Sequence, residues 1–219
     1  RLAQIYNKTL DPSKLADPYS EKEKKNAISE YARMLEVKEK IGHVEIPKIN
    51  QDLPIYAGTS EEVLQKGVGH LEGTSLPVGG KGTHAVLTAH RGLPTAKLFT
   101  DLNKMKKGDV FFIHNIKEVL AYKVIDVFVV EPSDFDKVLV VEGKDYCTLL
   151  TCTPYMINSH RLLVRAERTE YNPAAVEKDL VSQVTGKYKI YLIISLIIIA
   201  ILLWYYIRQR RRKKNNEIK

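Results

Sequence analysis

An antiparallel β-barrel, with a helix before it and one membrane-spanning helix after it, is the architecture that the sequence predicts. Three observations carry this reading. Between about Ile41 and Arg168 lie seven runs rich in Val, Ile, Tyr and Phe, separated by Gly, Pro or charged turns. No regular helical period falls between those runs, which favours a barrel over a doubly wound sheet. At the C-terminal end, "IYLIISLIIIAILLWYYI" is an uncharged stretch of 18 residues, 190–207, long enough to cross a bilayer core as a helix.

Taken in order, residues 1–19 read as polar and irregular, with Pro12 and Pro18 as turn formers. "SEKEKKNAISEYARMLE" then reads as a helix. Ser20 and Glu23 form a capping-box pair, and Ile28, Tyr31, Ala32 and Leu35 recur at helical spacing. The strand runs are "GHVEIP", "LPIYA", "HAVLTAH", "DVFFIHN", "VLAYKVIDVFVV", "DYCTLLTC" and "RLLVRAER". These elements divide the chain into an N-terminal region 1–40, a barrel domain 41–168, a linker 169–189, a transmembrane helix 190–207 and a basic tail 208–219.

The span decides how the charge is read. Its aromatic end, Trp204, Tyr205 and Tyr206, suits a membrane interface, and "RQRRRKKNNEIK" behind it marks the cytoplasmic side. The tail holds seven Lys or Arg (208, 210–214 and 219) against Glu217, so of the formal net charge of +8 only +2 lies upstream. The basic balance is therefore a topology signal and gives no support to nucleic-acid binding. The barrel domain is expected outside the cell, and membrane lipid is a partner through the helix. The chain starts at Arg1, and an exported domain needs an upstream leader, cleaved or retained as a second anchor.

The chain has two cysteines, Cys147 and Cys152, both in "DYCTLLTCTPY". A strand advances about 3.3 Å per residue, so their Cα atoms stand roughly 16 Å apart, far beyond the reach of a disulfide at about 7 Å. The odd spacing also sends the side chains to opposite strand faces. Cys147 shares a face with Leu149 and reads as a small buried hydrophobe. Cys152 ends its run two residues before Pro154, where the chain must leave the sheet. Position alone leaves both a structural and a functional role open for it. Exported cysteines are usually paired, and a reactive thiol is one reason for leaving one free.

A nucleophilic thiol needs a neighbouring base or cation. Of six histidines, His90 closes "HAVLTA" and precedes Arg91-Gly92, another strand end opening into a loop. Arg161 starts "RLLVRAER", and if that strand pairs with "DYCTLLTC" as a hairpin, Arg161 faces Cys152. A thiol, an imidazole and a fixed cation at three strand ends can run acyl transfer.

"TLLTC", Arg161 on the next strand and "VLTAHRG" together resemble the sortases, membrane-anchored cysteine transpeptidases of Gram-positive bacteria. The resemblance runs from about Gly42 to Arg168. In "GHLEGTSLPVGGKGTHAVLTAHRGLPTAKLFTDL" it is closest to the pilin-polymerising class C. Ala89 stands where related sequences often have Gly, a small-for-small departure. The resemblance implies a closed eight-stranded barrel. It implies that Cys152 attacks the Thr–Gly bond of an LPxTG-like sorting signal on a pilin, that His90 protonates the leaving amine, and that Arg161 holds substrate and oxyanion. A Lys amine of another pilin would then resolve the thioester. No metal or cofactor is expected. "LADPYS", 15–20, resembles the Asp-Pro-aromatic lid of class C. In that reading Asp17 pairs with Arg161, and Tyr19 covers Cys152 and His90. The segment also reads as a turn that delivers Ser20 to its helix, and the two roles are compatible. A housekeeping sortase working on cell-wall precursor, and a membrane-tethered binding module with structural cysteines, are the competing functions.

Overall fold

The computed structural model describes residues 2–19, 40–173, 191–206 and 208. The chain divides into two units, Arg1–Tyr171 and Asn172–Lys219.

In the first unit, eight strands close into a barrel in the order β1-β2-β3-β4-β7-β8-β6-β5. They are β1 Lys40–Ile46, β2 Gln51–Ala57, β3 Val68–His70, β4 Thr83–Thr88, β5 Val110–His114, β6 Val119–Val130, β7 Asp145–Thr153 and β8 His160–Thr169. A two-residue period fills the interior. Val44 and Ile46, Ala85 and Leu87, Phe111 and Ile113, Leu120, Tyr122 and Val124, Cys147 and Leu149, and Leu162, Val164 and Ala166 meet in one cluster. Cys147 is thus a wall residue of the core, and burial pushes its thiol well above the ordinary range. Burying side chains of this size contributes roughly 1.5–3 kcal/mol each.

Two features depart from the sequence reading. The first is β3, only three residues long and containing Gly69, too short to show a period. The second is that the barrel is not wholly antiparallel: β2 pairs β3 and β4 pairs β7 in parallel. A parallel neighbour needs a crossover, and a six-residue helix supplies it between β2 and β3. This helix, α2 (Glu61–Lys66), is capped by Ser60, whose side chain accepts from the Val63 amide at 3.4 Å. It buries Val63 and Leu64 against β3. Gly69 permits that approach: a Cβ there would stand 2.4 Å from the Gly58 carbonyl oxygen and 3.1 Å from Leu64 Cδ2.

The amino terminus departs too. Leu2–Lys8 is helical (α1) where the composition predicts irregular chain. Tyr6 packs with Ala57 and Leu76, and Asn7 accepts from the Leu76 amide at 2.8 Å. Tertiary contacts on the barrel thus override a weak local signal. The helix predicted over 20–36 lies outside the described residues.

Both β4 and β7 are buried along almost their whole length. Their inner faces meet the core. Their outer faces, Val86 and Leu150, are covered with Leu71, Val138 and Leu163 by Leu15, Tyr19 and Phe135. This two-sided burial explains why both strands read as continuous apolar runs rather than alternating ones.

In the second unit the chain is helical over 191–206, within the predicted span. Its flanks at 190 and 207 lie outside the described residues. Among the described residues no helix is long and apolar enough to cross a membrane.

Two predictions follow from the packing. Gly69→Ala forces a backbone contact apart and is expected to destabilise the barrel by about 1–3 kcal/mol, seen as a lower urea midpoint. His70 and His84 are buried, their imidazoles hydrogen-bonded to the Ser75 carbonyl at 2.7 Å and to the Leu139 carbonyl at 2.9 Å. Burial pulls both down from 6.5 to about 4, and the two carbonyls oppose this only in part. The unfolded chain therefore binds more protons between those values, and stability falls as pH drops from about 6.5 to about 4. Urea titrations across that window, with His70→Gln as a less acid-sensitive control, measure the loss.

Candidate active site

Register brings the site together. In the β7–β8 hairpin Cys152 lies directly opposite Arg161. In the β4–β7 ladder Thr88 lies beside Leu150, and the Ala89 amide donates to the Leu150 carbonyl at 3.3 Å. Continuing that parallel register by two residues sets His90 beside Cys152. Three neighbouring strand ends therefore carry the thiol, the imidazole and the guanidinium to one rim of the barrel.

The rim residues are held from below. Thr151 Oγ1 donates to the Ala89 carbonyl at 2.8 Å, tying β7 to the turn that carries His90. Phe99 returns its amide to the His90 carbonyl at 3.1 Å. Arg91 donates through Nε to the Thr100 carbonyl at 3.2 Å and through Nη1 to Thr153 Oγ1 at 3.0 Å, so its charge is turned away from Cys152. Gly92, at φ +96°, lets the chain turn where a Cβ would meet Tyr155 and Met156.

Residues 15–19 lie across this rim. Asp17 accepts two charge-assisted hydrogen bonds from Arg161, from Nε at 2.9 Å and Nη2 at 2.7 Å. Both side chains are over nine-tenths buried. Arg161 Nη1 also donates to the carbonyls of Asn158 and His160, at 2.9 and 3.1 Å. Paired and hydrogen-bonded in this way, the buried charges avoid the several kcal/mol that an isolated buried ion costs. Tyr19 donates its hydroxyl to the Ala89 carbonyl at 2.8 Å and lies 2.8 Å from Thr88 Oγ1. Its ring stands 5.7 Å from the His90 ring, and the Arg161 guanidinium lies 5.0 Å from its centroid. The Asp-Pro-Tyr segment thus engages the cation by charge and the imidazole by its ring.

Burial pushes the Cys152 thiol up to about 11; Arg161 pulls against this, and Asp17 reinforces it. Burial also drives the Tyr19 phenol far above its ordinary range. Burial works against the Arg161 charge, and the hydrogen bonds to Asp17 oppose this and raise the guanidinium above its ordinary value. The covered site is therefore electrically neutral at its centre, with a protonated thiol and a guanidinium already paired.

One contact was not legible in the sequence. His90 Nε2 lies 3.2 Å from Glu61 Oε1, on the first turn of α2. Glu61 is 29 positions upstream, in a helix too short to leave a periodic signature.

A rim on a closed eight-stranded barrel thus carries the thiol, imidazole and guanidinium that acyl transfer by a cysteine would require. A sortase domain matches residues 44–169, and the chain belongs to the sortase family. Its likeness to solved structures lies with class C. It is 65% identical to sortase C-1 from Streptococcus pneumoniae, with a TM-score of 0.72, covering 78% of this chain and 88% of that one. It is 60% identical to a pilus-related sortase C of Group B Streptococcus, again at TM-score 0.72, over 78% and 87% of the two chains. More distantly, it is 34% identical to sortase A of Bacillus anthracis over 61% of each chain. It is 31% identical to sortase D of Bacillus subtilis, spanning 52% of this chain and 54% of that protein. The chain thus spans less than two thirds of these two Bacillus relatives.

Asp17 both covers the site and raises the thiol, so its removal acts twice in the same direction. Asp17→Ala with Tyr19→Ala is expected to raise the rate of Cys152 alkylation by iodoacetamide at pH 7 at least several-fold. Wild-type alkylation is expected to climb steadily toward pH 11. Mass spectrometry of the tryptic peptide separates Cys152 from Cys147, which stays unmodified in the folded barrel. An unchanged rate in the double variant would show that the segment does not shield the thiol.

Proposed function

We propose that this chain is a membrane-anchored cysteine transpeptidase that polymerises pilins. The observation that carries this is the convergence of Cys152, His90 and Arg161 at three adjacent strand ends, through the β7–β8 register and the extension of the β4–β7 ladder. The class C likeness supports pilins as substrates, as does the Asp-Pro-Tyr segment.

Displacing residues 15–19 frees Arg161 from Asp17 and opens the thiol to substrate. Cys152 then reacts as thiolate, with its proton on His90. The sulfur attacks the Thr carbonyl carbon of an LPxTG-like sorting signal, and negative charge develops on the carbonyl oxygen. Arg161, already charged and held by two backbone carbonyls, stabilises that oxyanion and orients the substrate. As the C–N bond breaks, the His90 imidazolium gives its proton to the departing Gly amine, leaving a thioester on Cys152. A Lys amine of a second pilin attacks the thioester. His90 takes the proton released by that amine, the C–S bond breaks, and an isopeptide bond joins the subunits. The thiolate and imidazolium are restored, so no net proton or electron is consumed.

The apolar stretch 190–207 and its basic flank support anchoring with the barrel outside the membrane and the carboxyl terminus in the cytoplasm. Extension of chains outside the cell by enzymes tethered at the surface fits that orientation.

The test is polymerisation of a pilin bearing an LPxTG-like signal and an acceptor Lys, followed by gel mobility and mass spectrometry. Wild type is expected to form a thioester on Cys152 and ladders of isopeptide-linked subunits. Cys152→Ala should abolish both, and Arg161→Ala should lower kcat about 10²–10³-fold. Transfer to a wall-precursor amine without ladders would favour a housekeeping role. Unaltered pilin binding by Cys152→Ala, with no thioester in wild type, would favour a binding module.

A further inference from the structure

We infer that Glu61 is a positioning residue for His90, holding its ring so that Nδ1 serves the sulfur and the leaving amine. This deepens the proposed transpeptidase reading and rests on it. The observation is the contact between His90 Nε2 and Glu61 Oε1 at 3.2 Å. A carboxylate oxygen only accepts, so the ring proton sits on Nε2. Among the described residues, Nδ1 makes no hydrogen bond. The tautomer that this pairing selects leaves Nδ1 as the nitrogen free to exchange protons with Cys152 and the substrate amine.

The support behind Glu61 is built, although the side chain is itself half-exposed. Gln65 Nε2 donates to the same Oε1 at 3.0 Å, holding the carboxylate from the next turn of α2. Below it, the buried Glu72 accepts from the Thr59 amide at 3.0 Å and from Thr59 Oγ1 at 2.8 Å. That pair pins the residue two positions before Glu61. Gly58, at φ +81°, turns the chain into this contact, where a Cβ would stand 3.0 Å from Glu72 Oε1. Val63 and Leu64 seat the helix on β3. Glu72, Thr59, Ser60 and Glu61 thus form a continuous path from the barrel wall to the imidazole.

The other charged and titratable groups near the ring are accounted for. Tyr19 faces it from the covering segment, while Cys152 and Arg161 stand along the adjacent strand ends, with Arg161 paired to Asp17. Arg91 follows His90 in the chain but is bonded to Thr100 and Thr153. Among the described residues, Glu61 is the one carboxylate hydrogen-bonded to the ring.

Long-range 1H–15N spectra of the full chain in detergent micelles, with His90→Gln for assignment, test the orientation directly. The Nε2-protonated tautomer of His90 is expected in wild type and in Glu61→Gln, whose amide oxygen still accepts. In Glu61→Ala the ring should exchange between the two tautomers, with Nδ1 protonation becoming detectable. In peptide transfer, Glu61→Ala is expected to lower kcat about tenfold with KM within about twofold. Glu61→Gln, which keeps the accepting oxygen, should recover part of kcat. Wild-type spectra showing protonation at Nδ1, or Glu61→Ala with unchanged kcat, would overturn the inference. So would Gln and Ala variants that lose activity equally and melt at lower temperature. Transfer surviving in Cys152→Ala would instead overturn the transpeptidase reading, and the spectra would still decide the role of Glu61.

Discussion

The parallel ladder between β4 and β7 is the constraint from which the site follows. Parallel pairing makes both strands end at the same rim, so residues just beyond each end become neighbours without any loop bridging them. The antiparallel return of β8 then adds a third side chain at that rim, because a hairpin sets the start of one strand opposite the end of the other. Slipping either ladder by one residue would turn Cys152 toward the barrel interior or remove Arg161 from its side. The interior cluster resists that slip, since Leu149, Val164 and Ala85 would all have to leave the core together.

A second consequence concerns charge. A guanidinium held over nine-tenths buried beside a thiol is costly unless it is satisfied. In this structure Asp17 and two backbone carbonyls satisfy it, and the thiol is left protonated. Covering and deactivation are therefore one physical state. An uncharged, carbonyl-rich segment that replaces Asp17 can keep Arg161 satisfied while removing the carboxylate that opposes thiolate formation. The cover is held by a bidentate ion pair, by two contacts of one phenol and by the packing of Leu15 and Tyr19 on the outer apolar cluster.

The barrel's legibility in the sequence was uneven, for physical reasons. Long strands announce themselves: β6 and β8 repeat large apolar residues every second position because one face meets the core. β4 and β7 read as continuous runs because the covering segments bury their outer faces as well. The three residues of β3 carry no period, and α2 is a crossover helix of only six residues. The helicity of Leu2–Lys8 comes from the docking of Tyr6 and Asn7 on the barrel rather than from local propensity. The predicted disposition of Cys147 and Cys152 on opposite faces needed only the pleat, and both thiols are free in the structure.

By itself the sequence determined the strand-rich class, the family resemblance, the separation of the two thiols and the apolar, basic-flanked carboxyl end. These depend on residue type and local period, which a linear chain displays directly. Tertiary structure alone decided that two ladders run parallel, that the expected pairing of Asp17 with Arg161 uses two hydrogen bonds, and that Glu61 meets His90. Each joins residues far apart in the chain, and nothing in local spacing encodes which distant strand ends will share a rim. Closure of the barrel sets those pairings by fixing which strands are neighbours.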